Sequence, residues 1–206
     1  MKKLFALIAA MIVSVSVQAT EFKPGTHYTI LNTQASSSPK VTEYFSFYCP
    51  HCFKFEPFMQ VLKENLPANA SFQKSHVTFM GKAMGIPMAK AYATMVILKQ
   101  EENLVPAMFR QVQELRTPPR NEAELRQWFI DHGVNGELFD NTYNSFAIDS
   151  MQKRFVKDFD DAELRGVPGV VVNDKYVVEM EWMNNYETNQ ERIDVYIELV
   201  NYLLKK

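Results

Sequence analysis

Cysteine is almost absent from this chain: 206 residues contain two, Cys49 and Cys52. Two thiols cannot supply the four-ligand set of a structural zinc site. The four histidines, His27, His51, His76 and His132, are too scattered to complete one. Phe53, not histidine, follows the second cysteine, so the pair is no c-type haem attachment motif. Excess basic charge is missing too. Lys and Arg total 22 against 24 Asp and Glu, for a formal net charge of −2, which leaves no electrostatic footprint for nucleic acid. Internal repeats, low-complexity tracts and membrane-length apolar runs are absent after residue 19. No metal, cofactor or nucleic-acid partner is expected.

What is present begins at the N-terminus. Met1-Lys2-Lys3 is a short basic region, Leu4 to Val17 is nearly all apolar, and Val17-Gln18-Ala19 has the small-residue pattern of a cleavage site. The apolar stretch, about 14 residues, is too short to span a bilayer, which takes roughly 20. Residues 1–19 therefore read as a secretory signal peptide cleaved after Ala19. Thr20 rules out lipid attachment at a new N-terminal cysteine. Cleavage would remove two lysines and no acid, moving the net charge from −2 to −4. The expected product is a soluble exported chain.

The two cysteines stand two residues apart in Phe47-Tyr48-Cys49-Pro50-His51-Cys52-Phe53, where a β-like apolar run gives way to a helical pattern. A cysteine in the first turn of a helix faces unpaired backbone N–H groups and the positive end of the helix dipole, which favours thiolate over thiol. That is the signature of a redox-active dithiol. A purely structural bridge is the alternative, but closing so short a ring contributes only about 2 kcal/mol, against about 5 kcal/mol for a ring of a hundred residues. With 47% hydrophobic and 13% aromatic residues, the chain can build its core without a staple.

The periodicity predicts strands over His27–Leu31 and Val41–Tyr48, parted by the Ser36-Ser37-Ser38-Pro39 turn cluster. A helix follows from Pro50, with Phe53, Phe55, Phe58, Leu62 and Leu66 as its apolar positions and Pro67 as its stop. Ser71–Phe79 returns to a strand pattern. Helical patterns then run over Lys90–Lys99, Val105–Leu115, a segment capped by Asn121 with Glu124, Gly136–Phe146 and Ser150–Leu164. The Met and aromatic residues of this block read as core packing. Val170–Val172 and Lys175–Val178 flank an Asn173-Asp174 turn suited to positive φ. Thr188 and Glu191 cap a final amphipathic helix.

A β-β-α-β unit, a helical block and a β-β-α unit, with the dithiol at the first strand-to-helix junction, resemble an α/β thioredoxin fold carrying an inserted all-helical domain. Phe45-Ser46-Phe47-Tyr48-Cys49-Pro50-His51-Cys52, Lys74-Ser75-His76-Val77-Thr78-Phe79-Met80 and Arg165-Gly166-Val167-Pro168 occur in that order behind an export signal. Together they resemble the DsbA family of bacterial periplasmic thiol:disulfide oxidoreductases over nearly the whole mature chain. On that resemblance, residues 20–81 and 165–206 form the thioredoxin-like domain and residues 82–164 the insert. Two departures stand out: Gly169 follows Pro168 where alanine is expected, which would loosen the loop, and Glu179 to Asn189 matches no family segment.

The resemblance implies roles. Cys49 is the exposed attacking and attacked sulfur, Cys52 the buried resolving partner, and Pro50 and His51 the residues between them, with His51 adding positive charge beside the thiolate. Pro168 is a cis proline packed against the dithiol. Val167 pairs with an extended substrate peptide by strand addition, with Phe79 and Met80 nearby. Glu43, an acid inside an apolar strand, pairs with Lys74 beneath the dithiol, although the residues alone also allow a surface-facing Glu43. The implied activity is a periplasmic dithiol oxidase, monomeric, acting on newly exported cysteine-containing proteins and reoxidised by a DsbB-like quinone-linked membrane protein. An isomerase or reductase on the same fold, or a non-catalytic peptide-binding chaperone, remain as alternatives.

Overall fold

The structure, a computed structural model, describes residues 21–206, so the expected signal peptide lies outside the described residues. Its elements in chain order are β1 (Tyr28–Ile30), β2 (Lys40–Phe45), α1 (Pro50–Glu64), β3 (Ser71–His76), α2 (Gly85–Ile97), α3 (Glu101–Phe109), α4 (Glu122–Asp131), α5 (Gly136–Tyr143), α6 (Phe146–Asp161), β4 (Gly169–Val172), β5 (Tyr176–Val178) and α7 (Asn189–Leu203). The strands form one sheet in the order β1-β5-β4-β2-β3. Only the β2–β3 pair is parallel, as its crossover through α1 requires; the other neighbours are antiparallel. This is the thioredoxin arrangement, with α2 to α6 inserted between β3 and β4.

Strand β2 lies inside the sheet, between β4 and β3, and is buried along almost its whole length, which explains its apolar character on both faces. Val41 points into a core with Val170, Val172, Met59 and Leu62 of α1, and Tyr196, Leu199 and Leu203 of α7. Tyr44 points the other way, packs with Val171 and Ala162, and donates its hydroxyl to the Asp158 carbonyl of α6 at 3.0 Å. Phe45, at the strand's end, joins the largest core, which runs through Phe47, Cys49 and Cys52 into Met88, Tyr92, Met108 and Phe109 of the helical insert. Burying a Phe, Leu or Met side chain stabilises by about 1.5–3 kcal/mol. The dithiol thus sits in a continuous apolar wall between sheet and insert.

Several boundaries differ from the periodicity. Strand β2 stops at Phe45 and β3 at His76, because Ser46–Tyr48 and the residues after Val77 turn to build the site. Helix α2 begins at Gly85, not Lys90: Pro87 stands in its first turn, where a proline forfeits no intrahelical hydrogen bond. Residues 105–115 are not one α-helix. α3 holds Pro106 inside it and passes into a π-helical turn over Arg110–Glu114. Helix α6 starts at Phe146, where the Ser145 side chain accepts from Ile148 N–H. The Thr188–Glu191 capping box and the positive-φ Asn173-Asp174 turn are both present, with φ of 54° at each turn residue.

Candidate active site

Helix α1 begins at Pro50, which makes Cys49 its N-cap residue, with extended backbone (φ −93°, ψ 112°). In place of the usual hydroxyl or carboxylate, the Cys49 Sγ accepts from the Cys52 N–H at 3.1 Å. A sulfur so placed is stabilised as the anion. The Cys52 thiol bonded to it contributes most, backbone N–H groups of Cys52 and His51 add to it, and the His51 charge contributes least. Together they outweigh burial and bring Cys49 down to about 6. The same thiol–thiolate contact pushes Cys52 far up, helped by burial and by the negative charge of Cys49 and Glu43. Both sulfurs are unbridged thiols, so the structure shows the reduced pair.

One expectation needs correction. Cys49 is not an exposed sulfur: it is 3% exposed, against 0% for Cys52. The cause is the loop before β4. The Val167–Pro168 peptide bond is cis, and the loop lays the Val167 carbonyl over the dithiol, where the Cys49 thiol donates to it at 3.5 Å. The loop therefore contacts Cys49 as the resemblance implied, but it also covers it.

Beneath the dithiol, Glu43 of β2 stands directly beside Lys74 of β3 in the parallel register. Glu43 is fully buried, which excludes the surface-facing alternative. Lys74 Nζ lies 3.2 Å from Glu43 Oε2 as an ion contact, without the direction of a hydrogen bond, and also pairs with Glu56 of α1. The ammonium sits over the Phe45 ring, 4.5 Å from its centroid. One cation thus serves two carboxylates. Burial raises Glu43, Lys74 opposes that, Glu56 adds to it, and the outcome is about 7. Burial also disfavours the Lys74 charge, but the two carboxylates outweigh it and hold Lys74 above its ordinary value.

Glu56 was not anticipated. It lies four residues after Cys52, hence on the same face of α1, and that spacing was the available signal. His76 was also overlooked. It is fully buried, its Nε2 accepts the Phe47 N–H at 3.1 Å, and burial lowers it to about 3, so the ring is neutral. Of the expected peptide-facing residues, Phe79 is 58% exposed and its ring meets Phe159 at 5.4 Å. Phe159 belongs to the small cluster against which Val167 packs. Met80 packs on the large core beside the dithiol. Tyr48 lies against Gly81, whose φ of 87° and close approach to the Tyr48 ring exclude any side chain.

The two departures also find their places. Gly169 opens β4 with the Leu164 Cδ1 only 2.9 Å from where a Cβ would stand, so the missing methyl is filled by Leu164 and leaves no slack. Glu179 to Asn189 forms a 3-10 turn over Glu181–Asn185 and buries Trp182 against His27, centroid to centroid 5.1 Å. Arg192 of α7 donates to the Tyr186 carbonyl at 2.8 Å. The segment belongs to the packing of α7 and β1, not to the dithiol.

A sequence profile of the DSBA-like thioredoxin domain matches residues 40–193. The thiol:disulfide interchange protein DsbA of Dickeya dadantii is 34% identical over 209 residues, covering both chains completely. That of Escherichia coli K12 is 33% identical with the same coverage. Among solved structures, a cysteine-to-serine variant of Proteus mirabilis DsbA with the non-covalently bound peptide PWATCDS superposes with a TM-score of 0.82 at 31% identity, covering 91% of this chain and 100% of that one. Pseudomonas aeruginosa DsbA gives 0.74 at 27% identity, over 90% and 97%. With a dithiol at a helix N-cap, a cis-proline loop against it and these likenesses over the full chain, this protein belongs to the DSBA-like thioredoxin domain family and is a thiol:disulfide oxidoreductase.

Proposed function

We propose that this oxidoreductase works as a dithiol oxidase of the periplasm, donating the Cys49–Cys52 disulfide to newly exported cysteine-containing proteins. The observation that carries the reading is the Cys49 sulfur at the N-cap of α1, held at about 6 by the Cys52 thiol and the surrounding N–H groups. Stabilising the thiolate stabilises the reduced protein, and a stable reduced form makes the disulfide a strong oxidant. An isomerase or reductase needs a more reducing pair. A chaperone needs no thiolate at all.

A substrate thiolate attacks Cys49 Sγ in the disulfide, forming a mixed disulfide while Cys52 leaves as a thiolate and takes up a proton. A second substrate thiolate then attacks the substrate sulfur of the mixed disulfide, and Cys49 leaves as the stabilised thiolate. The substrate loses two electrons and the enzyme gains them. Glu43, at about 7, is suited to exchange the Cys52 proton, with Lys74 balancing its charge. Pro50 and His51 shape and charge the first turn. Val167, Phe79 and Met80 offer backbone and apolar contact to an extended peptide such as the one bound by the Proteus mirabilis relative.

In this reading, residues 20–81 and 165–206 form the redox domain and residues 82–164 the insert. The chain acts as a monomer, is exported by the signal peptide cleaved after Ala19, and is reoxidised by a DsbB-like quinone-linked membrane protein. The test is oxidative refolding of a reduced, unfolded disulfide protein by stoichiometric oxidised enzyme. Rapid appearance of substrate disulfides supports the oxidase. Activity only on scrambled substrates, or none in either assay, would defeat it.

A further inference from the structure

The backbone of Phe47, two residues before Cys49, is held at both ends by side chains from different parts of the fold. Its N–H goes to Nε2 of His76 at the end of β3, 3.1 Å away. Its carbonyl accepts from Nε2 of Gln113 at 2.5 Å, across 66 residues of sequence. Gln113 lies in the π-helical turn Arg110–Glu114, where the extra residue per turn re-aims side chains that a regular helix would point elsewhere. Apolar packing brings the same segment onto the site. Phe109 meets Phe47 at 5.0 Å, Phe45 at 5.7 Å and Phe53 at 5.9 Å between centroids.

Phe47 is fully buried, so its carbonyl depends on Gln113 in place of water. The remaining bonds of this loop are local: Tyr48 N–H to Ser46 Oγ at 3.1 Å and Cys49 N–H to the Ser46 carbonyl at 3.0 Å. They shape the turn but do not fix it against the body of the protein. Its placement decides whether Cys49 Sγ stays over the Cys52 N–H.

We propose that Gln113 is a positioning residue for the redox reaction, through which the helical insert holds the Phe47 peptide and so seats Cys49 at the N-cap of α1. Its side-chain amide bonds the Phe47 carbonyl, not a sulfur, and acts through the loop. Without it the Phe47 carbonyl loses its partner and only the His76 bond and the ring packing hold the loop, so that the Sγ to N–H contact loosens and the reduced state loses part of its advantage. The inference rests on Cys49 being the reactive, thiolate-forming cysteine of the proposed oxidase.

The test compares Gln113→Met, which keeps length but lacks the donor, and Gln113→Asn, which keeps the amide but falls short, with wild type and with Gln111→Met. Gln111 is a neighbour in the same turn, and its amide bonds only Thr117, at 2.7 Å. Thiolate absorbance against pH and the equilibrium constant with glutathione are measured in the full mature chain. Both Gln113 variants should raise the Cys49 titration midpoint and make the disulfide about two- to fivefold less oxidising, a factor in line with one hydrogen bond. Gln111→Met should move neither, whatever it does to thermal stability. Gln113 variants that melt earlier but titrate and equilibrate as wild type would overturn the proposal and leave Gln113 a packing residue. If Gln113→Met does not fold, Gln113→Asn alone decides. A wild-type Cys49 that titrates like a free thiol would instead defeat the oxidase reading itself, so the two failures are distinguishable.

Discussion

Lys74 stands beside Glu43 across the parallel β2–β3 pair, its Nζ 3.2 Å from Oε2, while the same ammonium also pairs with Glu56. All three groups lie within the protein near the dithiol, and one positive charge cannot fully compensate two carboxylates. Burial lifts Glu43 most and the Glu56 charge adds to it, against Lys74, so that Glu43 is pushed up to about 7. In the proposed oxidase, an acid raised this far and felt electrostatically by Cys52 is suited to exchange the Cys52 proton.

This gives a stability prediction with a definite sign. The folded value of Glu43 is above its unfolded one, so the folded state binds more protons between about 4.5 and 7 and stability falls as pH rises through that window. Glu43→Gln should flatten the fall and be the more stable protein at pH 8, since Lys74 keeps Glu56 as a partner. Denaturant midpoints of the two proteins at pH 5 and pH 8 would check it. A Glu43→Gln protein weaker than wild type at both pH values would contradict it.

His76 acts in the opposite direction. Its folded value, about 3, lies below the ordinary 6.5 because the ring is buried, so the unfolded chain takes up the proton first and stability drops as pH falls from about 6.5 towards 3. The slope from one such group approaches about 1.4 kcal/mol per pH unit within the window. Between pH 4.5 and 6.5 it opposes Glu43, so the clean measurement is in the Glu43→Gln background. Acid unfolding there should show a slope that His76→Gln removes; an unchanged slope would clear His76.

Cys49 should titrate near 6 in the reduced protein. His51→Ser should raise that value and make the disulfide less oxidising, because the ring contributes favourable charge to the thiolate, though as the smallest of the named contributions. Thiolate absorbance and the glutathione equilibrium constant report the two effects. No change in either would remove His51 from the chemistry.

Cys52→Ala should accumulate stable mixed disulfides between Cys49 and substrates that offer no second thiol, since Cys52 can no longer attack Cys49 Sγ and return the substrate thiol. Cys49→Ala should accumulate none, because the thiolate-forming sulfur at the N-cap is gone and Cys52, pushed far up, stays a thiol. Non-reducing electrophoresis of periplasmic extracts reads the difference, and equal trapping by both variants would contradict the assignment of roles.

The sequence by itself determined the chemistry and the order of elements. A C-x-x-C pair at a strand-to-helix junction is local information: the N-cap position, the helix dipole and the following Pro50 are all fixed within four residues, and Cys49 does cap α1. The hairpin turn at Asn173-Asp174 and the Thr188–Glu191 box are legible for the same reason. Contacts between distant residues were decided only by the tertiary structure. That Glu43 faces inwards, that Glu56 shares its cation, and that His76 and Gln113 bond the N–H and the carbonyl of one residue, Phe47, depend on sheet register and on how the insert docks. The burial of Cys49 is of the same kind, since the carbonyl over it comes from a loop 118 residues away in the chain. Periodicity reports which face of an element is apolar; it carries no information about which other element will cover that face.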